Sequence, residues 1–259
     1  LEERAGCALV VRGQPCVPPE TGRRMCQLMD RVRLLEQELQ DALPAMAPEG
    51  GARVPLPVAV NADSLASWFA PAMAAYAAQA PVLIALSVDD QDHTAEWLRT
   101  GAVLAAVTSS ARPATGCNSQ PLGVMRYLAA ASPAHVARYF AAGVGAGSLA
   151  QAPSLLFNIK DELQATWVRR LCHRHVELPR HTLPSPQAFV TAALAGMGWG
   201  MFPEAMIAPQ LADGLLVELV PGTPLDVPLH WQTARAASGV LDGLTRQIAA
   251  AARTGLRPL

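Results

Sequence analysis

Carboxylates and hydroxyls gather where short apolar runs give way to polar loops. Asn61-Ala62-Asp63-Ser64 follows Val58-Ala59-Val60 and opens an amphipathic stretch. The free N–H groups and dipole of a helix start there favour an anion, and the Ser64 hydroxyl adds a donor. Plain N-capping by Asp63 or Ser64 fits the same loop. Asp89-Asp90-Gln91-Asp92-His93-Thr94 follows the apolar run from Val82 to Val88. Its crowded carboxylates need solvent or a cation, unless the segment is simply a capped helix start. Thr108-Ser109-Ser110 ends the run from Val103 to Val107. Asn158-Ile159-Lys160-Asp161-Glu162 follows Leu155-Leu156-Phe157, and Ser185-Pro186-Gln187 opens a further helix, with Pro186 suited to its first position. Hydroxyls and carboxylates around one cleft suit an amino acid, its carboxylate at a helix start and its ammonium groups against aspartates. The candidate binding residues are Asp63, Ser64, Asp92, Thr108, Ser109, Asp161, Ser185 and Gln187.

Catalytic signals are weak. No G-x-S-x-G, H-E-x-x-H or Walker-type loop occurs. Gly196-Met197-Gly198-Trp199-Gly200 imitates a dinucleotide loop, but it follows a helix and precedes a strand, the reverse of the required order. Gly143-Val144-Gly145-Ala146-Gly147 reads as a connector. Cys172-His173-Arg174-His175, with His181 nearby, fits no zinc spacing and reads as a basic helix end. The expectation is a protein that is not an enzyme and has no cofactor or metal.

Apolar periodicity places these loops. Ala8-Leu9-Val10-Val11 reads as a short strand, followed by the turn Arg12-Gly13-Gln14-Pro15. Met25, Leu28, Val32, Leu35 and Leu39 recur at alternating spacings of 3 and 4, the a and d positions of a heptad. A helix lying on its own domain fits this row. A dimer seam is preferred because the globular pattern starts only later. Pro44 to Pro57 reads as a linker. Then strands at Val58–Val60, Val82–Val88 and Val103–Val107 alternate with helices at Ser64–Ala78 and Thr94–Arg99, which implies a parallel sheet covered by helices. Val82–Val88 is apolar enough for a strand buried on both faces. Apolar segments at Val124–Ala131, Leu155–Phe157, Gly200–Phe202, Leu215–Val220 and Leu229–Thr233 continue the pattern. They are joined by helices at Ala134–Phe140, Glu162–Leu171 and Gln187–Ala195, and a last helix spans Val240–Ala252. The expected fold is α/β, two lobes joined by crossings near residues 127 and 230. Small ligands bind in such clefts, at the C-terminal ends of strands.

The bulk numbers narrow the partners. A chain of 259 residues, 51% hydrophobic, can bury one large core or two modest ones. A net charge of −1 gives no global basic field, so any DNA contact must be local. No uninterrupted apolar run reaches the roughly 18 residues of a membrane span. The five scattered cysteines form no C-x-x-C and fit free thiols in a reducing cytoplasm. The chain starts at Leu1, without a signal-peptide pattern, and reads as a fragment whose natural start lies upstream.

The opening Leu1-Glu2-Glu3-Arg4-Ala5-Gly6-Cys7-Ala8-Leu9-Val10-Val11-Arg12 resembles the end of the recognition helix and the start of the wing in LysR-type transcription regulators. Pro19-Glu20-Thr21-Gly22 matches the motif that opens the linker helix there, with Thr placed immediately before Gly. Four segments resemble the arginine- and lysine-responsive ArgP/LysG subgroup. They are Val60-Asn61-Ala62-Asp63-Ser64-Leu65-Ala66-Ser67-Trp68, Val88-Asp89-Asp90-Gln91-Asp92-His93-Thr94, Phe157-Asn158-Ile159-Lys160-Asp161, and Pro186-Gln187-Ala188-Phe189-Val190 with Gly196-Met197-Gly198. The resemblance covers nearly the whole chain.

It implies a two-lobed, periplasmic-binding-protein-like (type II) effector domain behind a wing remnant and a linker dimerisation helix. The implied divisions are 1–20 for the winged helix-turn-helix remnant, 21–43 for the dimer helix, 54–127 plus 231–259 for lobe I, and 128–230 for lobe II. It also implies a homodimer or tetramer, lysine or arginine as effector, operator DNA as partner, and control of amino-acid export or metabolism genes. Ser64 would hold the effector carboxylate and Asp63, Asp92 or Asp161 its ammonium groups. Arg4 and Arg12 would touch DNA phosphate without specifying sequence. The alternative is a solute-binding protein of a transporter, which shares the two-lobed design.

Overall fold

The computed structural model describes residues 1–43, 55–80, 82–89 and 94–259. The chain starts with a single turn, α1 (Glu2–Ala5). Ala8–Val11 forms no strand: its one pairing is an isolated bridge from Val11 to Val17. With so short a loop between them, the two arms are held by just two N–H···O bonds, of 2.8 and 3.1 Å. The long helix α2 (Glu20–Ala42) follows. Gly22 lies where a Cβ would stand 2.1 Å from the Leu9 carbonyl oxygen, so only glycine lets the wing-like segment rest on this helix. Leu34 is buried against the following domain, whereas Met25, Leu28, Val32, Leu35 and Leu39 are all exposed, at 37–58%.

The body begins with β1 (Leu56–Asn61). A continuous helical run comes next: α3 (Ala62–Ser64), a π segment (Leu65–Phe69) and α4 (Ala70–Gln79). Then follow β2 (Ile84–Asp89), α5 (Thr94–Arg99) and β3 (Ala105–Thr108). β1 pairs in parallel with both β2 and β3. β2 stands at the edge of the sheet, beside β1. That corrects the expectation of burial on both faces, since an edge strand leaves Ala85 and Val88 exposed.

Apolar side chains alternate across the inner strands as a sheet period of two requires. Val58, Val60, Val107 and Trp231 join Phe69, Leu241, Leu244 and Ile248 in one core. Ala59 and Ala106 face Leu98 and Val103 beneath α5. Each large buried side chain contributes about 1.5–3 kcal/mol of transfer free energy.

β4 (Cys117–Ala131) is 15 residues long and begins well before the apolar stretch at Val124. Its front half, Cys117-Asn118-Ser119-Gln120-Pro121, is polar and carries no apolar signal. The second lobe contains α6 (Pro133–Tyr139), α7 (Ala146–Leu149), β5 (Ser154–Leu156), α8 (Leu163–Cys172) and β6 (Arg180–Thr182). α9 (Pro186–Leu194), β7 (Gly200–Pro203), α10 (Glu204–Ala212) and β8 (Val217–Glu218) complete it. Leu128, Leu155, Phe189, Phe202, Ile207 and Leu216 pack there as a separate core. The histidine pair near Cys172 marks a helix end: His173, at φ 54°, closes α8. β9 (Leu225–Ala234) returns antiparallel to β4, and α11 (Ser238–Gly255) closes the first lobe.

β4 and β9 are the two crossings between lobes. Their ladder runs from Cys117 opposite Ala234 to Tyr127 opposite Leu225, with a bulge between Pro121 and Gly123. An Arg126–Asp226 ion pair staples it through two bonds of 2.7 Å. The segment after α11 lies along this ribbon, where Val124 and Arg257 exchange backbone bonds of 2.8 and 3.0 Å. The Arg257 guanidinium reaches Glu204, at the start of α10, within 2.8 Å. Gly123, at φ +143°, makes this possible, since a Cβ there would meet the Arg257 carbonyl oxygen at 2.6 Å.

Gly123→Ala should therefore lower stability by about 1–3 kcal/mol, from strain at a glycine-only conformation plus displacement of the tail. Gly147→Ala, with open space around its Cβ position, is the control and should be near neutral. Thermal unfolding of the two variants checks this; equal midpoints would contradict it.

Candidate functional site

The wall of the interlobe cleft in the first lobe is the turn from β1 into α3. Asn61 ends β1 at 1% exposure. Among the described residues, neither of its side-chain amide atoms has a hydrogen-bond partner. As the residue that precedes the helix, Asn61 makes no side-chain cap bond among them. Ser64 is fully buried, and its Oγ accepts from the Trp68 indole at 3.2 Å. The π segment carrying Trp68 follows directly, a local distortion often found at functional sites. Asp63 is half-buried, and its Oδ2 accepts from the Tyr127 phenol at 2.8 Å.

At the end of β3, Thr108 is buried and its Oγ1 accepts from the Ser110 N–H at 3.2 Å. Ser109 is half-buried. Gln232 holds this loop down: its Oε1 accepts from the Ala114 N–H at 2.9 Å, and its Nε2 donates to the Ser110 and Arg112 carbonyls at 2.9 and 3.0 Å.

The second lobe supplies Asp161, 8% exposed. Its carboxylate accepts from the backbone N–H groups of Phe157, at 3.0 Å, and Leu163, at 3.1 Å. Burial pushes its carboxyl above the ordinary carboxylate range, against the opposing pull of those two N–H bonds. Ser185 caps α9 by accepting from the Ala188 N–H at 3.3 Å. Gln187 is exposed. Asp92 lies outside the described residues.

Asp63 and Asp161 line one small cavity, together with Phe157, Pro186, Phe202 and Met206. Its volume is about 20 Å³, room for roughly one water. An amino acid would need the walls to part. Two carboxyl groups on the lining of one small cavity offer acceptors that a cationic group could bridge. A larger hollow, about 980 Å³, lies between α2 and the first lobe, beside Leu28, Leu35, Leu98 and Cys117. Among the described residues, none of the sequence-predicted effector-binding residues lines it.

Arg4 and Arg12 are exposed. Among the described residues no helix is long and apolar enough to cross a membrane. Tyr127 escaped the sequence reading. Its one signal is a tyrosine inside a strand run that is apolar apart from Arg126, and its partner Asp63 is 64 residues away.

Residues 49–256 match the family profile described as "LysR substrate binding domain". The chain belongs to the LysR family. It is 42% identical over 258 residues to the HTH-type transcriptional regulator ArgP of Pseudomonas aeruginosa, covering 99% of this chain and 85% of that protein. The crystal structure of ArgP from Mycobacterium tuberculosis superposes with a TM-score of 0.83 at 40% identity, covering 100% of this chain and 86% of that one. Full-length LysG from Corynebacterium glutamicum with bound effector Arg gives a TM-score of 0.74 at 34% identity, covering 99% and 86%. The two lobes are those of a LysR effector domain, a type II periplasmic-binding-protein-like fold.

Asp161 predicts a pH dependence. A carboxyl raised by folding contributes stability that is present below its unfolded pKa and is lost as pH rises through the folded value. The window therefore opens near 3.8 and extends upward. Relative to Asp161→Asn, the unaltered protein should lose stability as pH rises across that window. Urea unfolding at a series of pH values checks it, and a pH-independent difference would contradict it.

Proposed function

We propose that this LysR family member is a ligand-responsive, DNA-binding transcription regulator that senses arginine or lysine between its lobes. Its targets are genes of amino-acid export or metabolism. The observation that carries this reading is the pair Asp63 and Asp161 on one cavity at the lobe boundary. A guanidinium or ammonium group placed there satisfies both carboxylates at once. Ser64, Thr108 and Ser109 lie on the first-lobe side and Ser185 and Gln187 on the second, as hydroxyl and amide groups for the effector's own carboxylate and amine. The arginine-bound LysG relative supports the choice of ligand class.

In this reading residues 21–43 are the dimer helix, and the row Met25, Leu28, Val32, Leu35 and Leu39 seats a second copy in a dimer or a tetramer. Residues 54–127 with 231–259 form lobe I, and 128–230 form lobe II. Residues 1–20 belong to the DNA-reading end, where Arg4 and Arg12 meet phosphate. Such a regulator works in the cytoplasm, where its free thiols stay reduced.

Titration calorimetry with arginine and with lysine should give saturable heat with at least one. Asp161→Asn should weaken it by at least about tenfold, the cost of one charge-assisted bond. No heat with either amino acid from a folded sample would overturn the reading. Separately, replacing Leu28 and Leu35 together by Asp should shift the protein towards monomer in sedimentation velocity. An unchanged assembly would show that the row is not the seam.

A further inference from the structure

Tyr127 occupies a singular place in the sheet. On β4 it is opposite Leu225 of β9 and also opposite Pro203 of β7. It is the residue at which the crossing ladder hands over to the ladder inside the second lobe. Nine paired positions on β9 lead up to it, and β7 takes over from it through Ala130. Backbone movement between lobes must turn close to this point.

Its side chain points away from the ladder to the first lobe. Tyr127 is 1% exposed, and its phenol donates to Asp63 Oδ2 at 2.8 Å. Asp63 stands at the first turn after β1, 64 residues earlier. Pro203, the β7 partner of Tyr127, lines the same cavity as Asp63 and Asp161. One hydrogen bond thus joins the first-lobe carboxylate to the point where the lobes hinge.

We infer that Tyr127 is a positioning residue that aims the Asp63 carboxylate at the effector's cation and ties cation binding to the hinge. The inference rests on the arginine or lysine reading given above. The chemistry is direct. A phenol donating to one carboxylate oxygen fixes the plane of the group, and a carboxylate has about four lone-pair positions, so it accepts from a ligand as well. Fixing that plane before binding removes an ordering cost from association. A ligand without a cation gains nothing from it. Tyr127 is therefore a residue that selects for charge at the effector's far end without touching the effector itself.

The experiment compares arginine with citrulline, which replaces the guanidinium by a neutral urea of nearly the same shape. Calorimetric titrations use the unaltered chain, Tyr127→Phe, Asp63→Asn and the double variant, each shown folded by thermal unfolding. Tyr127→Phe keeps the ring in its buried slot and removes only the hydroxyl. It should weaken arginine by about tenfold while leaving citrulline unchanged, so the arginine-to-citrulline preference falls towards one. Asp63→Asn should lose the same preference, and adding Tyr127→Phe to it should change nothing further.

An arginine-to-citrulline preference in Tyr127→Phe equal to that of the unaltered chain would overturn the inference. So would equal weakening of both ligands, which marks a merely structural hydroxyl. An additive loss in the double variant would show that Tyr127 does not act through Asp63, and would overturn it too. Failure of the unaltered chain to bind any basic amino acid would instead remove the underlying reading, and this inference with it.

Discussion

Whatever the two lobes do relative to each other passes through the antiparallel ladder between β4 and β9. Those strands are the two chain crossings between the lobes. The ladder is long, stapled by Arg126 and Asp226, and bent by a bulge at Gly123. A bulge increases local twist and bends the strand, so the ribbon has a built-in direction of flexing. The tail at Arg257 closes over that bend and reaches Glu204 of the second lobe. The tail thereby ties the bend of the ribbon to the start of α10.

The cleft itself stores an electrostatic problem. Asp161 is nearly buried, and its burial opposes its ionisation even though two N–H groups favour it. Asp63 shares the cavity with it, under the hand of Tyr127. In a cavity with room for one water, this is an arrangement that gains from an added cation. In the proposed reading, a basic effector supplies that cation. In that reading the small volume also links binding to lobe separation, because a cavity of this size does not admit an amino acid as it stands.

Much of the framework was legible because burial imposes period two on strands and near 3.6 on helices. Val58, Val60 and Val107 announced the parallel core, and the amphipathic stretch Ser64–Ala78 announced its covering helix. The π segment within that helix was not legible, since α and π turns share nearly the same apolar face. Val82–Val88 misled because an apolar run says nothing about how many neighbours a strand has, and β2 proved to be an edge. α10 was missed because Pro209 sits inside it and Pro203 precedes it, both of which read as breaks. The polar front half of β4 was missed for want of any apolar signal. At the site, Asp63 and Asp161 stood out because each follows a strand and opens a helix. Tyr127 did not, because its partner is distant in sequence and nothing local requires a phenol there. The contact of Ser64 with the Trp68 indole was not legible either, since a buried hydroxyl and an exposed one read alike at a helix start.

The most direct measurement is a crystal structure of this chain grown with arginine. The account predicts the amino acid between the lobes, its guanidinium within hydrogen-bond distance of Asp63 or Asp161, with the walls of the small cavity moved apart. Arginine bound instead in the hollow beneath α2, or a cleft unchanged and empty at saturating arginine, would contradict it.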